Sequence, residues 1–144
     1  MTSSPAALLL NQLAALHRTS LPSYLSYTRP WAAEGDDDAV EMLRQIAVDH
    51  AYVVDKVMTL LEADGLESHL GNFPMEYTSL HDLSIEYLVQ RTMQYQEGFI
   101  VRLENLIDAL PDEAVPREIA EEAWGLAKGH LKNLQDAAAD LAAS

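Results

Sequence analysis

His17, His50 and His130 stand at positions where the surrounding pattern asks for apolar side chains. An imidazole can ligate a metal, pass a proton near neutral pH, or hold a buried hydrogen bond. A single histidine on an apolar helix face usually does the last of these. Three at one height in a core are more demanding. Each ring has two nitrogens, and both need partners once water is excluded. A transition-metal ion is one way to supply them. Imidazole suits zinc, iron, nickel and copper alike, so ligand type does not choose among them.

Four rods carry these residues. Helical periodicity predicts helices over about 5–28, 36–63, 79–110 and 116–142, in a single domain spanning 1–144. Ser4 and Pro5 open the first, with Pro22 a kink inside it and Thr19 and Ser20 placed to satisfy the groups it frees. Asp36 or Asp37 caps the second and Gly65 stops it. Ser79 and Asp82 resemble a capping box for the third, and Pro116 fits the first turn of the fourth. The fold class expected is all-α, a four-helix bundle.

Residues 65–78, GLESHLGNFPMEYT, lack helical period. Extended, they would span about 45 Å. A helix of roughly 28 residues is about 42 Å long, so this crossover connection can travel the length of the bundle. Its large apolar residues suit a cover over one subunit, or a surface for a second copy, a homodimer. Trp31 is a further apolar group near a helix end.

The four midpoints fall near residues 16, 50, 94 and 129. A midpoint stays at mid-height whichever way its helix runs. His17, His50 and His130 should therefore meet near the centre. The third helix brings Thr92, Tyr95 and Gln96 to that height, Gln96 about 60° from the middle of its apolar face. Tyr24 and Tyr95 read as core aromatics whose hydroxyls reach a partner, and either could back a metal-bound imidazole. His81 reads as a capping or interface residue near a helix end, and His69 as a solvated one. Glu41, Glu86, Glu97, Glu104 and Glu122 fall off the inner faces and read as solvated.

The bulk composition bounds the function. Formal charge is −14, which excludes a basic nucleic-acid footprint and disfavours anionic membranes. With no cysteine, thiolate metal sites, disulfides and cysteine nucleophiles are excluded. The apolar run AALLL at 6–10 is too short for a membrane span and lacks a basic leader, so a cytoplasmic protein is expected. No H-E-x-x-H, glycine-rich phosphate loop or G-x-S-x-G occurs.

Four helices with a bundle-length connection after the second resemble the ferritin-like superfamily of rubrerythrins and bacterioferritins. That family places a Glu on helices one and three and a Glu-x-x-His on helices two and four. The corresponding tetrads here are Ala47-Val48-Asp49-His50 and Ala127-Lys128-Gly129-His130. Each keeps the His and has Ala where the family has Glu. Ala47, His50, Leu61 and Ala63 match Ala127, His130, Leu141 and Ala143 at a constant spacing of 80, a hint of helix-pair duplication. By the resemblance, His17 falls near the first-helix Glu and Gln96 near the third. Without bridging carboxylates, two-iron oxygen chemistry is not expected.

Three readings follow. The first is a single divalent transition metal, zinc or iron, on His17, His50 and His130, with Tyr24, Tyr95, Gln96 or Thr92 behind them. The second is a metal-free structural or interaction bundle with a buried histidine–tyrosine network. The third is acid–base catalysis by the imidazoles alone.

Overall fold

A computed structural model describes residues 5–28, 37–63, 73, 77, 85–112 and 114–143. These form five α-helices and, among the described residues, no strand. They are α1 (Pro5–Arg18), α2 (Leu21–Thr28), α3 (Asp37–Ala63), α4 (Ile85–Ala109) and α5 (Ala114–Ala143). The caps expected at Ser4, Asp36, Gly65 and Ser79–Asp82 lie outside the described residues, as do Trp31, His69 and His81.

The first rod is broken rather than kinked. Pro22 has no backbone N–H to continue α1 and disfavours helical geometry before it. The chain turns at Thr19 and Ser20 and restarts. The Thr19 hydroxyl and backbone N–H both donate to the Ala15 carbonyl, at 2.7 and 2.9 Å, closing α1. Ser20 then caps α2: its hydroxyl accepts from the Ser23 N–H at 3.3 Å, the bond an N-cap makes three residues on. Pro22 falls in the first turn of α2, where its missing donor costs nothing.

The other ends follow the same chemistry. α4 stops just before Pro111, and the Leu110 N–H is shared between the Leu106 and Ile107 carbonyls, both at 3.1 Å. α5 carries Pro116 in its first turn, two residues inside its start. A short turn makes α4 and α5 neighbours that pack along each other, and α1 and α2 lie against α3. Phe73 and Tyr77, from the stretch between α3 and α4, pack on Tyr24, with ring centres 5.2 and 5.4 Å away. At these two positions that stretch covers its own helices.

Two apolar clusters fill the core. One gathers Leu10, Leu13, Val57, Leu61, Leu103 and Ala123 with their neighbours. The other gathers Leu21, Leu25, Leu43, Ile46, Leu88 and Leu134. In sequence, the α1–α2 pair and each of α3, α4 and α5 pass from one cluster to the other through buried polar residues: His17 and Ser20, His50, Thr92 and Gln96, and His130. None of the six is more than 5 % exposed. A polar layer thus separates two apolar halves. The off-face carboxylates Glu41, Glu86, Glu97, Glu104 and Glu122 are all exposed. No helix among the described residues is long and apolar enough to cross a membrane.

Candidate functional site

The break between α1 and α2 builds the first part of the layer. Capping α2 turns the Ser20 hydroxyl inward, where its oxygen lies 2.7 Å from His50 Nδ1. The hydrogens around it can be ordered from their partners. The Ser23 hydroxyl donates to the His17 carbonyl at 2.8 Å, and a carbonyl can only accept. Ser23 Oγ therefore accepts from the Ser20 hydroxyl at 3.0 Å. Ser20, having spent its one hydrogen, accepts from His50 Nδ1–H. In the neutral ring this leaves the lone pair of His50 on Nε2.

The other two rings are fixed in the same way. His17 Nδ1 donates to the Leu13 carbonyl, one turn back on its own helix, at 2.9 Å. His130 Nε2 donates across the interface to Asp49 Oδ2 at 2.7 Å. Asp49 is held in turn by Gln45, whose amide donates to Oδ1 at 3.0 Å. With Nε2–H on Asp49, His130 has a lone pair on Nδ1 in its neutral form and a second N–H there in its protonated form.

The rings converge. His17 and His50 are 4.8 Å apart between centres, and His50 and His130 are 5.9 Å apart. Phe99 of α4 lies against two of them: parallel to His50 at 5.0 Å and perpendicular to His17 at 4.9 Å. His50 is thus the middle ring. Thr92 and Gln96 join from α4, one turn apart, and the Gln96 amide donates to the Ala127 carbonyl at 3.1 Å. That bond assigns nitrogen and oxygen in the Gln96 side chain, because the carbonyl needs a donor.

Four buried side-chain atoms have no hydrogen-bond partner among the described residues: His50 Nε2, His130 Nδ1, Gln96 Oε1 and Thr92 Oγ1. By the assignments above, His50 Nε2 and Gln96 Oε1 are acceptors, and His130 Nδ1 is a third in the neutral ring. Only the Thr92 hydroxyl brings a hydrogen. The layer therefore holds a surplus of lone pairs and a shortage of positive partners.

Burial also keeps two rings uncharged. His17 is lowered from 6.5 to about 4, mainly by desolvation, with the Leu13 carbonyl opposing and His130 adding to the effect. His50 is pushed well below the usual histidine range by burial, then by His17 and His130, with the His17 backbone opposing. Neutral imidazoles are the form that ligates metals.

The donor set bears on which metal could sit here. A carboxylate-bridged pair of ions does not fit. Ala47 and Ala127 are buried where the ferritin-like pattern has Glu, and Asp49 is occupied by His130 and Gln45. Among the described residues, no three His, Cys, Asp or Glu side chains form a group that could hold an ion. The four unpartnered atoms are a different set: two imidazoles, an amide oxygen and a hydroxyl. Of these, His50 Nε2 and His130 Nδ1 are the nitrogens that could ligate an ion.

The tyrosines stand apart from this layer. Tyr24 is buried against Phe73 and Tyr77. Tyr95 packs beside Phe99 with ring centres 5.8 Å apart. Desolvation and the neighbouring Tyr77 raise the Tyr95 phenol. The partners of the three imidazoles are the Leu13 carbonyl, Ser20 and Asp49 rather than tyrosine hydroxyls. Helical periodicity and capping rules assign Ser20 only to the kink, and give Asp49 and Phe99 no part in the site. Asp49 precedes His50 in the chain, but pairing it with His130 needs the packing of α3 on α5.

No family model matches the chain, and no curated protein or solved structure matches it.

Proposed function

We propose that this chain is a ferritin-like bundle, with α1 and α2 together serving as its first rod, that binds one transition-metal ion in the polar layer. His50 Nε2 and His130 Nδ1 are the nitrogen donors. Gln96 Oε1 and Thr92 Oγ1 are the oxygens within the same layer. The observation that carries this reading is the surplus of buried acceptors left without a donor. Each ligand ring also has its other nitrogen fixed, His50 by Ser20 and His130 by Asp49. Such outer bonds orient metal-bound imidazoles and raise their basicity. His17, whose Nδ1 is held by Leu13, packs edge-on against His50 and keeps water from that side.

The test is elemental analysis of protein purified without an affinity tag, before and after reconstitution with zinc, ferrous iron and copper. The expected result is close to one equivalent of a single metal, abolished in His50→Leu with the helical spectrum intact. Less than about one tenth of an equivalent of every metal, even after reconstitution, rejects the reading.

A second reading is a metal-free structural or interaction module, assembled as a homodimer. The absence of a ready group of three ligands among the described residues favours it. Buried water, which can donate twice, would then serve the unpaired acceptors. Val48 and Tyr52, exposed one turn apart on α3, offer apolar surface to a second copy. This reading expects His50→Leu to melt at the same temperature or higher, and sedimentation to show a dimer.

A further inference from the structure

The spacing and charge of the two free imidazoles say more about the ion than the ligand types do. Resting on the single-ion reading above, we infer that the layer selects a monovalent, soft ion, copper(I), held between His50 and His130 alone.

The first ground is distance. A ring nitrogen lies about 1.1 Å from the centre of its imidazole, and a metal–imidazole bond is about 2.0 Å. Two rings on one ion therefore stand about 6.2 Å apart, centre to centre, when the bonds are in line, and about 5.1 Å apart at a tetrahedral angle, so a separation near 5.9 Å is a wide, slightly bent arrangement closer to in-line. The observed separation is 5.9 Å. The two nitrogens of an imidazole point to nearly opposite sides of the ring. With Nδ1 of His50 on Ser20 and Nε2 of His130 on Asp49, the remaining lone pairs leave the rings on the sides away from those partners. In-line coordination by two donors is a geometry that zinc and ferrous iron do not favour and copper(I) accepts.

The second ground is charge. The layer is closed to water, and an unbalanced charge there is costly. Imidazole, amide and hydroxyl ligands are all neutral. The one carboxylate bonded to the set is Asp49, through His130. One negative charge offsets one positive charge. A divalent ion would keep a net positive charge in an apolar interior, with Phe99 on the ring beside it. Among the described residues no group of three His, Cys, Asp or Glu could hold an ion, which counts against a tetrahedral zinc site and is no obstacle to a two-coordinate ion.

The experiment titrates tag-free protein with copper(I), under reductant and without oxygen, against a colorimetric copper(I) chelator. Zinc(II) and cobalt(II) are titrated in parallel. One equivalent of copper(I) should bind, at least about 100-fold tighter than zinc. X-ray absorption should show two nitrogen neighbours. Gln96→Leu and Thr92→Val should bind copper(I) within about threefold of the parent, and Asp49→Asn at least about tenfold more weakly. Should His50→Leu fail to fold, His130→Gln and the absorption spectrum of the parent protein carry the test. One equivalent of zinc or cobalt, with copper(I) no tighter, overturns the inference and leaves the single-ion reading standing. Three or four neighbours in the absorption spectrum overturn it too. Failure of all three metals to bind overturns both.

Discussion

Acid should destabilise this all-helical fold through His17, and the size of the effect can be worked out. The His17 ring takes up a proton at 6.5 in the unfolded chain and at about 4 in the fold, because burial penalises its charged form. Between those values the unfolded state binds more protons than the native one, so stability rises with pH and falls on acidification. The contribution is complete above the unfolded value. It is lost as pH drops towards the folded one, and below that it changes no further. Going from about pH 7.5 to about pH 4.5, His17 alone should remove roughly 2–3 kcal/mol, most of it below the unfolded value. His50 is shifted the same way and adds to the loss. The assay is urea unfolding followed by far-ultraviolet circular dichroism at half-unit pH steps. His17→Asn is the comparison, since its amide can still donate to the Leu13 carbonyl but does not titrate. Acid also relieves repulsion in a chain of formal charge −14, in both proteins alike, so the difference between the two curves isolates the ring. Parent stability should converge on that of the variant by roughly 2–3 kcal/mol over the range. A difference that stays flat from about pH 7.5 to about pH 4.5 would refute the argument, because His17 would then titrate alike in both states.

Other substitutions probe the scaffold. Phe99→Ala, which empties the space against His17 and His50, should lower the stability measured by urea unfolding by about 3–5 kcal/mol. Ser20→Ala removes both the cap of α2 and the acceptor for His50 Nδ1. A loss of about 1–2 kcal/mol is expected in the same assay, with Ser20→Thr retaining most of it. Gly125→Ala, on the exposed side of α5 where an added Cβ meets no atom within 4 Å, should raise stability by about 1 kcal/mol and increase the melting temperature.

The sequence carried the height of the site better than its wiring. His17, His50 and His130 lie near the midpoints of rods of similar length, and midpoints coincide whatever the direction of each rod. Gln96, expected from the flank, does reach in, and its amide finds the Ala127 carbonyl. Pro22 announced a disturbance in the first rod. That it became a full break followed from Ser20, a good cap standing at the right place to start a new helix. What periodicity does not encode is rotation about side-chain bonds. Three imidazoles at one height form a ligand set only if their lone pairs face one point. His17 Nδ1 is taken by the carbonyl one turn behind it on its own helix, and no pattern along that helix says where its Nε2 then points. The Asp49–His130 bond depends on how α3 and α5 are turned towards each other, which no residue pattern within one helix reveals.

The belt of six polar residues also acts as a key that sets how the rods are threaded past one another. Sliding α5 by a single turn, about 5.4 Å, would carry Leu134 up to His50 and push His130 in among leucines. Apolar packing resists that slip less sharply, since it is not directional and Ala127 would fall where Ala123 packs. Hydrogen-bonding groups resist it more, because a displaced imidazole leaves its acceptor and donor stranded together. Filling the belt with well-packed leucines should therefore yield a bundle that melts higher and yet samples several alignments of its helices.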